Sequence, residues 1–183
     1  MLDFMDANVR LQTQETQMPL TTLDKLPDDA RVWIFGAAAP VDDVDAAKLL
    51  AAVDAYLLQW KAHGHPLTAA REWRDERFLV IGVDQRTEGA SGCSIDELFH
   101  VLQALERAVG SSLVGGGLVF FRGPGDLVCA LPRDDFEALA RRGGADRSTS
   151  VFDTTITSAG DYRARFEVPA AGSWHSALLP KPA

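Results

Sequence analysis

Lysine, cysteine and long apolar runs are all scarce in this 183-residue chain, and each shortage excludes something. The only lysines are Lys25, Lys48, Lys61 and Lys181, and none follows a glycine. A phosphate loop of the G-x-x-x-x-G-K-[ST] type is therefore missing, and with it the lysine that would reach the terminal phosphates. The chain is not a P-loop ATPase. Cys93 and Cys129 are the only cysteines, too few for a disulfide scaffold. No apolar stretch approaches the roughly 20 residues of a membrane span. The N-terminus, Met1-Leu2-Asp3-Phe4-Met5-Asp6, lacks the basic and apolar regions of a signal peptide. These features lead us to expect a cytoplasmic, reducing environment. Basic residues are outnumbered, 18 to 26, for a formal net charge of -8. That balance disfavours nucleic acid and anionic membranes, because phosphate binding needs a cationic footprint. The arginine groups Arg71, Arg74, Arg77 and Arg141, Arg142 are short enough to be solvated faces.

What is present suits one domain. Residues 1–26 are polar and read as a flexible lead-in. Residues 27–179 read as a single α+β domain, and 180–183 as a loose tail. Arg31 to Gly36 is rich in β-branched and aromatic residues and reads as a strand. A helix follows over about 43–62, with Leu50, Val53, Leu57 and Trp60 on one face, Asp42 or Asp43 as its cap and Gly64 as its stop. Residues 68–84 read as a hairpin turning at Arg74-Asp75-Glu76-Arg77. A second helix over about 95–109 stops at Gly110. Strands at 118–121 and 127–131 flank Gly123-Pro124-Gly125-Asp126, a short helix spans about 133–142, and two weaker strands lie near 150–157 and 162–168. The order β-α-β-β-α-β is the ferredoxin-like plan, an antiparallel sheet with two helices on one face, here with an added hairpin and C-terminal elements.

The stretch richest in chemistry is Ser91-Gly92-Cys93-Ser94-Ile95-Asp96-Glu97. Cys93 falls at a helix start, where backbone N–H groups favour a thiolate, which makes it a candidate nucleophile. The same letters also fit a capping box between Ser94 and Glu97, with Cys93 as a small apolar plug packed before the cap. A nucleophile needs a base. His63, His65 and His175 are the candidates, with Asp84 as the group orienting the base; His100 lies too far along its own helix. His63-Gly64-His65 with Asp84 or Cys93 offers zinc-type ligands, yet there is no C-x-x-C pair and no H-E-x-x-H, so we expect neither metal nor cofactor. Gly115-Gly116-Gly117 does not make a dinucleotide fingerprint, and G-x-S-x-G is missing. Trp174, beside His175 in a loop-like stretch, would mark a partner surface or lid if exposed.

Four segments carry a resemblance: Leu26-Pro27-Asp28-Asp29-Ala30-Arg31-Val32-Trp33-Ile34, Trp60-Lys61-Ala62-His63-Gly64-His65-Pro66-Leu67, Ala90-Ser91-Gly92-Cys93-Ser94-Ile95-Asp96 and Gly172-Ser173-Trp174-His175. Together they resemble a small bacterial family, common in Bacteroidetes-like genomes, whose members often carry the label "ABC transporter ATPase". The resemblance covers roughly 26–179. It implies no catalytic residue and no nucleotide here, since the phosphate loop of such an ATPase is missing. Two functional expectations result. One is a non-catalytic binding or interaction domain for a protein or small molecule, with a homo-oligomer left open. The other is a thiol-dependent enzyme built on Cys93.

Overall fold

The run Phe78-Leu79-Val80-Ile81-Gly82-Val83 has no polar residue to turn toward water. A strand of that kind must be covered on both faces, and this requirement organises the fold. The computed structural model describes residues 20–86 and 88–181. In chain order it contains β1 (Arg31–Gly36), α1 (Asp43–Leu57), the two-residue strands β2 (Lys61–Ala62) and β3 (His65–Pro66), β4 (Ala69–Arg74), β5 (Phe78–Val83) and α2 (Gly92–Val109). Then come β6 (Leu118–Arg122), β7 (Val128–Pro132), α3 (Arg133–Arg141), β8 (Ser150–Phe152), α4 (Ala159–Arg165) and β9 (Glu167–Pro169). No helix among the described residues is long and apolar enough to cross a membrane.

The first sheet has the order β1-β5-β4, with antiparallel neighbours. Alternation along β5 sends Leu79, Ile81 and Val83 to one face, where α1 and α2 cover them with Leu49, Val53, Leu98 and Leu102. Phe78 and Val80 point to the other face, against Val32, Phe120 and Phe152. The second sheet has the order β7-β6-β8-β9. Its Phe120 and Phe152 face the first sheet, while Val119, Phe121 and Val151 turn away to meet Phe136 and Ala140 of α3. The molecule is thus four layers deep: a helix pair, a sheet, a second sheet, and α3 with the C-terminal turns. Phe78 is at the centre, its ring 5.1, 4.8 and 5.1 Å from those of Phe120, Phe152 and Phe166.

Mixed α+β architecture with two helices on one face of an antiparallel sheet is what the structure shows, and three strands keep the expected spatial order. The fourth does not. The ferredoxin-like plan would pair β6 with β1; instead β6 pairs with β7 and β8. The cause is its side chains. Val119, Phe120 and Phe121 are all buried, so β6 needs an apolar layer on each side and becomes a central strand of its own sheet.

Two shorter expectations also fail. Residues 162–168 form mostly helix rather than strand: Ser158 caps α4 by accepting from Asp161 N–H (3.2 Å), and only Glu167–Pro169 is extended. The first long helix stops at Leu57, not 62, because Gly64 (φ +85°) turns β2 back onto β3 and Leu67 N–H closes on Trp60 C=O (3.0 Å). Of the expected lead-in, residues 1–19 lie outside the described residues, whereas Leu23 and Leu26 are buried in the layer between the sheets.

Candidate functional site

Cys93 is exposed, so it is not the apolar plug of the capping-box reading. The cap lies three residues earlier than that reading expects. Ser91 is the N-cap of α2, its hydroxyl accepting from Ser94 N–H (3.3 Å), and Ser94 itself is buried. Tyr56 and Trp60 donate to Ser94 C=O (3.1 and 3.0 Å) and pin the start of α2 to the end of α1. Cys93 therefore sits in the first turn with its side chain outward. It lines a groove of about 530 Å³ with Lys61, His63, Ser91, Ser94 and Glu97.

The other sequence candidates do not converge on that groove. His65 is exposed on β3 and is not among the groove's lining residues. Asp84 directly follows β5 and is committed to Arg86 (2.6 Å), whose hydrogen bonds hold its carboxyl below the usual range. His175 lies on the far layer, beside α3. It is 1% exposed, its Nδ1 shares a 2.8 Å hydrogen bond with Ser173 Oγ, and its ring stacks on Trp174 at 3.8 Å. Its Nε2 has no partner among the described residues, and burial pushes its pKa down to about 4. Trp174 is half-buried and donates to Asp153 (3.1 Å), with the Arg133 guanidinium over its ring, so neither residue forms the exposed surface considered above. Among the described residues no three His, Cys, Asp or Glu side chains come together as metal ligands.

A different feature is more completely built: the free edge of β1. Ala37 N–H bonds to Arg77 C=O toward β5, so odd residues of β1 address β5 and even residues face outward. At the start of the strand this edge is covered, because Val32 N–H reaches Thr157 C=O (3.0 Å) and Ala159 N–H reaches Ala30 C=O (2.9 Å). Beyond Val32 the cover ends. Ile34 and Gly36 turn their N–H and C=O groups outward, and no hydrogen bond meets them among the described residues.

These groups form the floor of a cleft of about 270 Å³. One wall is the loop Gly115-Gly116-Gly117, the other Thr154 to Thr157; Phe99 and Leu113 lie toward the helix layer, Phe120 and Ile156 toward the second sheet. The glycine wall is held from α2. Glu106 accepts from Leu113 N–H and Val114 N–H (2.8 Å each), and these bonds keep its carboxyl ionised below the ordinary range. Gly36 is small for a reason: a Cβ there would run into the Phe120 ring. Among the described residues Arg31 is the only charged one lining the cleft.

The edges at β4 and β9 differ. The outer side of β4 is bridged by Thr21 and carries Arg71, Glu72 and Arg74. Arg71 is paired with Asp54 (2.7 Å), and Arg74 with Asp75 and Glu167. β9 is three residues long and ends in Pro169. Charge, shortness and proline are the usual guards of a sheet edge. The β1 cleft has none of them at Ile34 and Gly36, and sequence reasoning missed it. Its one sequence signal was the triple glycine, tested only as a nucleotide fingerprint. Compared with protein-family models, curated proteins and solved structures, this chain shows no match.

Proposed function

We propose that this chain is a non-catalytic binding domain that takes up an extended peptide segment as an added strand along the free edge of β1. The observation that carries this reading is the pair of outward-facing residues, Ile34 and Gly36, whose backbone donors and acceptors meet no partner among the described residues inside a walled cleft. Strand addition draws affinity from such main-chain groups and specificity from pockets for alternate side chains. The apolar surfaces of Phe99 and Leu113 on one side, and of Phe120 and Ile156 on the other, supply those pockets. At about 270 Å³ the cleft falls below the roughly 300–1,000 Å³ of small-molecule sites. An extended chain needs less: three strand residues span about 10 Å. A net charge of -8 argues against a polyanionic ligand, while Arg31 favours an acidic group near the start of β1.

The two thiols are free, which suits the cytoplasmic setting we assign. Within the small bacterial family the chain resembles, the reading implies a binding role and no ATP hydrolysis. The test is an isothermal calorimetric titration with an acetylated, amidated pentapeptide of alternating valine and threonine. Saturable binding is expected, lost when the peptide's edge-facing amides are N-methylated and weakened at least tenfold by Gly116→Trp. Equal binding of the N-methylated peptide would remove the proposal.

A second reading, the thiol-dependent enzyme, keeps one specific support: Cys93 is exposed and shares its groove with His63. Alkylation of Cys93 as a function of pH decides it. A midpoint near or below neutrality that moves upward in His63→Ala supports the enzyme. Reaction that follows an ordinary thiol, near about 8.5, in both proteins eliminates it.

A further inference from the structure

A second edge is left open, on the other sheet and away from the β1 cleft. β7 is the outer strand of its sheet. Gly123 N–H bonds to Leu127 C=O, and the register pairs Cys129 with Phe121 and Leu131 with Val119. Odd residues of β7 therefore address β6, and Val128 and Ala130 turn their N–H and C=O groups outward, where no hydrogen bond meets them among the described residues. The side chains are apolar and half-buried from Val128 to Leu131, and Leu127 is 68% exposed. A groove of about 590 Å³ runs beside them, past Pro40 and Arg122. No charged residue lies within the strand itself, the charged groups Asp75, Glu76, Arg77, Arg122 and Asp126 lining the groove beside it, and its one proline, Pro132, stands at its end.

We infer that β7 is a self-association seam, pairing antiparallel with β7 of a second copy of this chain about a twofold axis at Cys129. A twofold antiparallel pair is self-complementary, so one patch serves both copies. The register follows from which residues can donate. Setting Ala130 against Ala130 would place Val128 opposite Pro132, which has no N–H, and Asp126 opposite Asp134. Setting Val128 against Ala130 of the second copy pairs both the N–H and the C=O of these two residues in each copy, whereas Val128 C=O opposite Pro132 would lack a donor. That register also lays Leu127 on Leu131 and brings Asp126, at one end of the strand, toward Arg133 at the other. Cys129 then faces Cys129 as a non-hydrogen-bonded pair, with Cα atoms about 4.5 Å apart. The seam is five residues long, so the dimer is concentration-dependent and not obligate.

Sedimentation equilibrium of the full chain tests this, together with cross-linking in a Cys93→Ser background, where Cys129 is the one remaining thiol. The expected results are a monomer–dimer equilibrium in the micromolar range and a covalent dimer with a short bis-maleimide, lost in Cys129→Ser. Leu127→Lys should weaken the dimer about tenfold. This variant changes an exposed side chain, so it leaves the fold intact; Ala130→Pro, which removes an outward donor, should abolish the dimer. A wild-type chain that stays monomeric throughout that range, or a dimer indifferent to Leu127→Lys that cross-linking does not capture, would overturn the inference.

Discussion

The free edges of β1 and β7 expose the same chemistry, two outward-facing residues each, in opposite settings. At β1 the unpaired groups lie at the bottom of a cleft walled by glycines and threonines, and one apolar layer approaches from either side. At β7 they stand on an open, apolar strand. A recessed edge admits a single strand and rejects a flat one. An open edge can meet an identical copy of itself. The comparison teaches that surroundings, more than the strand's own residues, decide which partner an edge can take. The guarded edges of β4 and β9 show that the chain has the means to close an edge where nothing is to bind.

The largest effect should come from what both edges share. Phe78→Ala removes the ring on which Phe120, Phe152 and Phe166 converge, and urea denaturation should show a loss of about 3–5 kcal/mol, with both edges disordered together. A paired substitution separates them. Gly36→Val forces a side chain into the Phe120 ring and should cost about 1–3 kcal/mol, whereas Ala130→Val, on the half-exposed β7, should stay within about 0.5 kcal/mol. Equal costs at the two positions would erase the distinction between a recessed and an open edge.

Much of the fold could be read in advance, where neighbouring residues fix geometry. The β4–β5 hairpin with its turn at 74–77, the α2 stop at Gly110 (φ +63°) and the β6–β7 hairpin around Gly123–Asp126 all follow from local preference. The helix start was misread because two caps compete in one segment. Ser94-x-x-Glu97 is the better pattern on paper, but Tyr56 and Trp60 hold Ser94 C=O inside the structure and Ser91 takes the cap. The departure of β6 from the first sheet could not be read either, because it depends on a distant layer, α3, that receives Val119 and Phe121. The β1 cleft is made of main-chain groups, and main-chain groups leave no letter in the sequence.

Acid should sharpen the contrast between the two sides. The folded pKa of His175 is depressed from the ordinary 6.5 to about 4, so its neutral form is the one the fold accommodates. Its contribution is complete above about 6.5 and is lost as pH falls toward about 4, because the unfolded chain takes up the proton first. His175 packs on the side of the second sheet. Amide exchange in β8 and β9 should therefore rise before that in β1 as the pH falls from about 6.5 toward about 4, and His175→Gln should remove the difference. The smallest effect is the most local. Glu106→Ala releases the Leu113 and Val114 amides that brace the glycine wall, at a cost of about 1 kcal/mol in stability. Peptide affinity at β1 should fall several-fold while dimerisation through β7 is unchanged.

Residue-resolved hydrogen exchange of the β1 amides, with and without the alternating peptide, tests the central claim most directly. Ile34 and Gly36 should exchange rapidly in the free protein, far faster than Trp33 and Phe35 beside them, and become protected when the peptide binds. If both amides are already protected in the free chain, or stay unprotected at saturating peptide, the edge of β1 is not where this protein receives its partner.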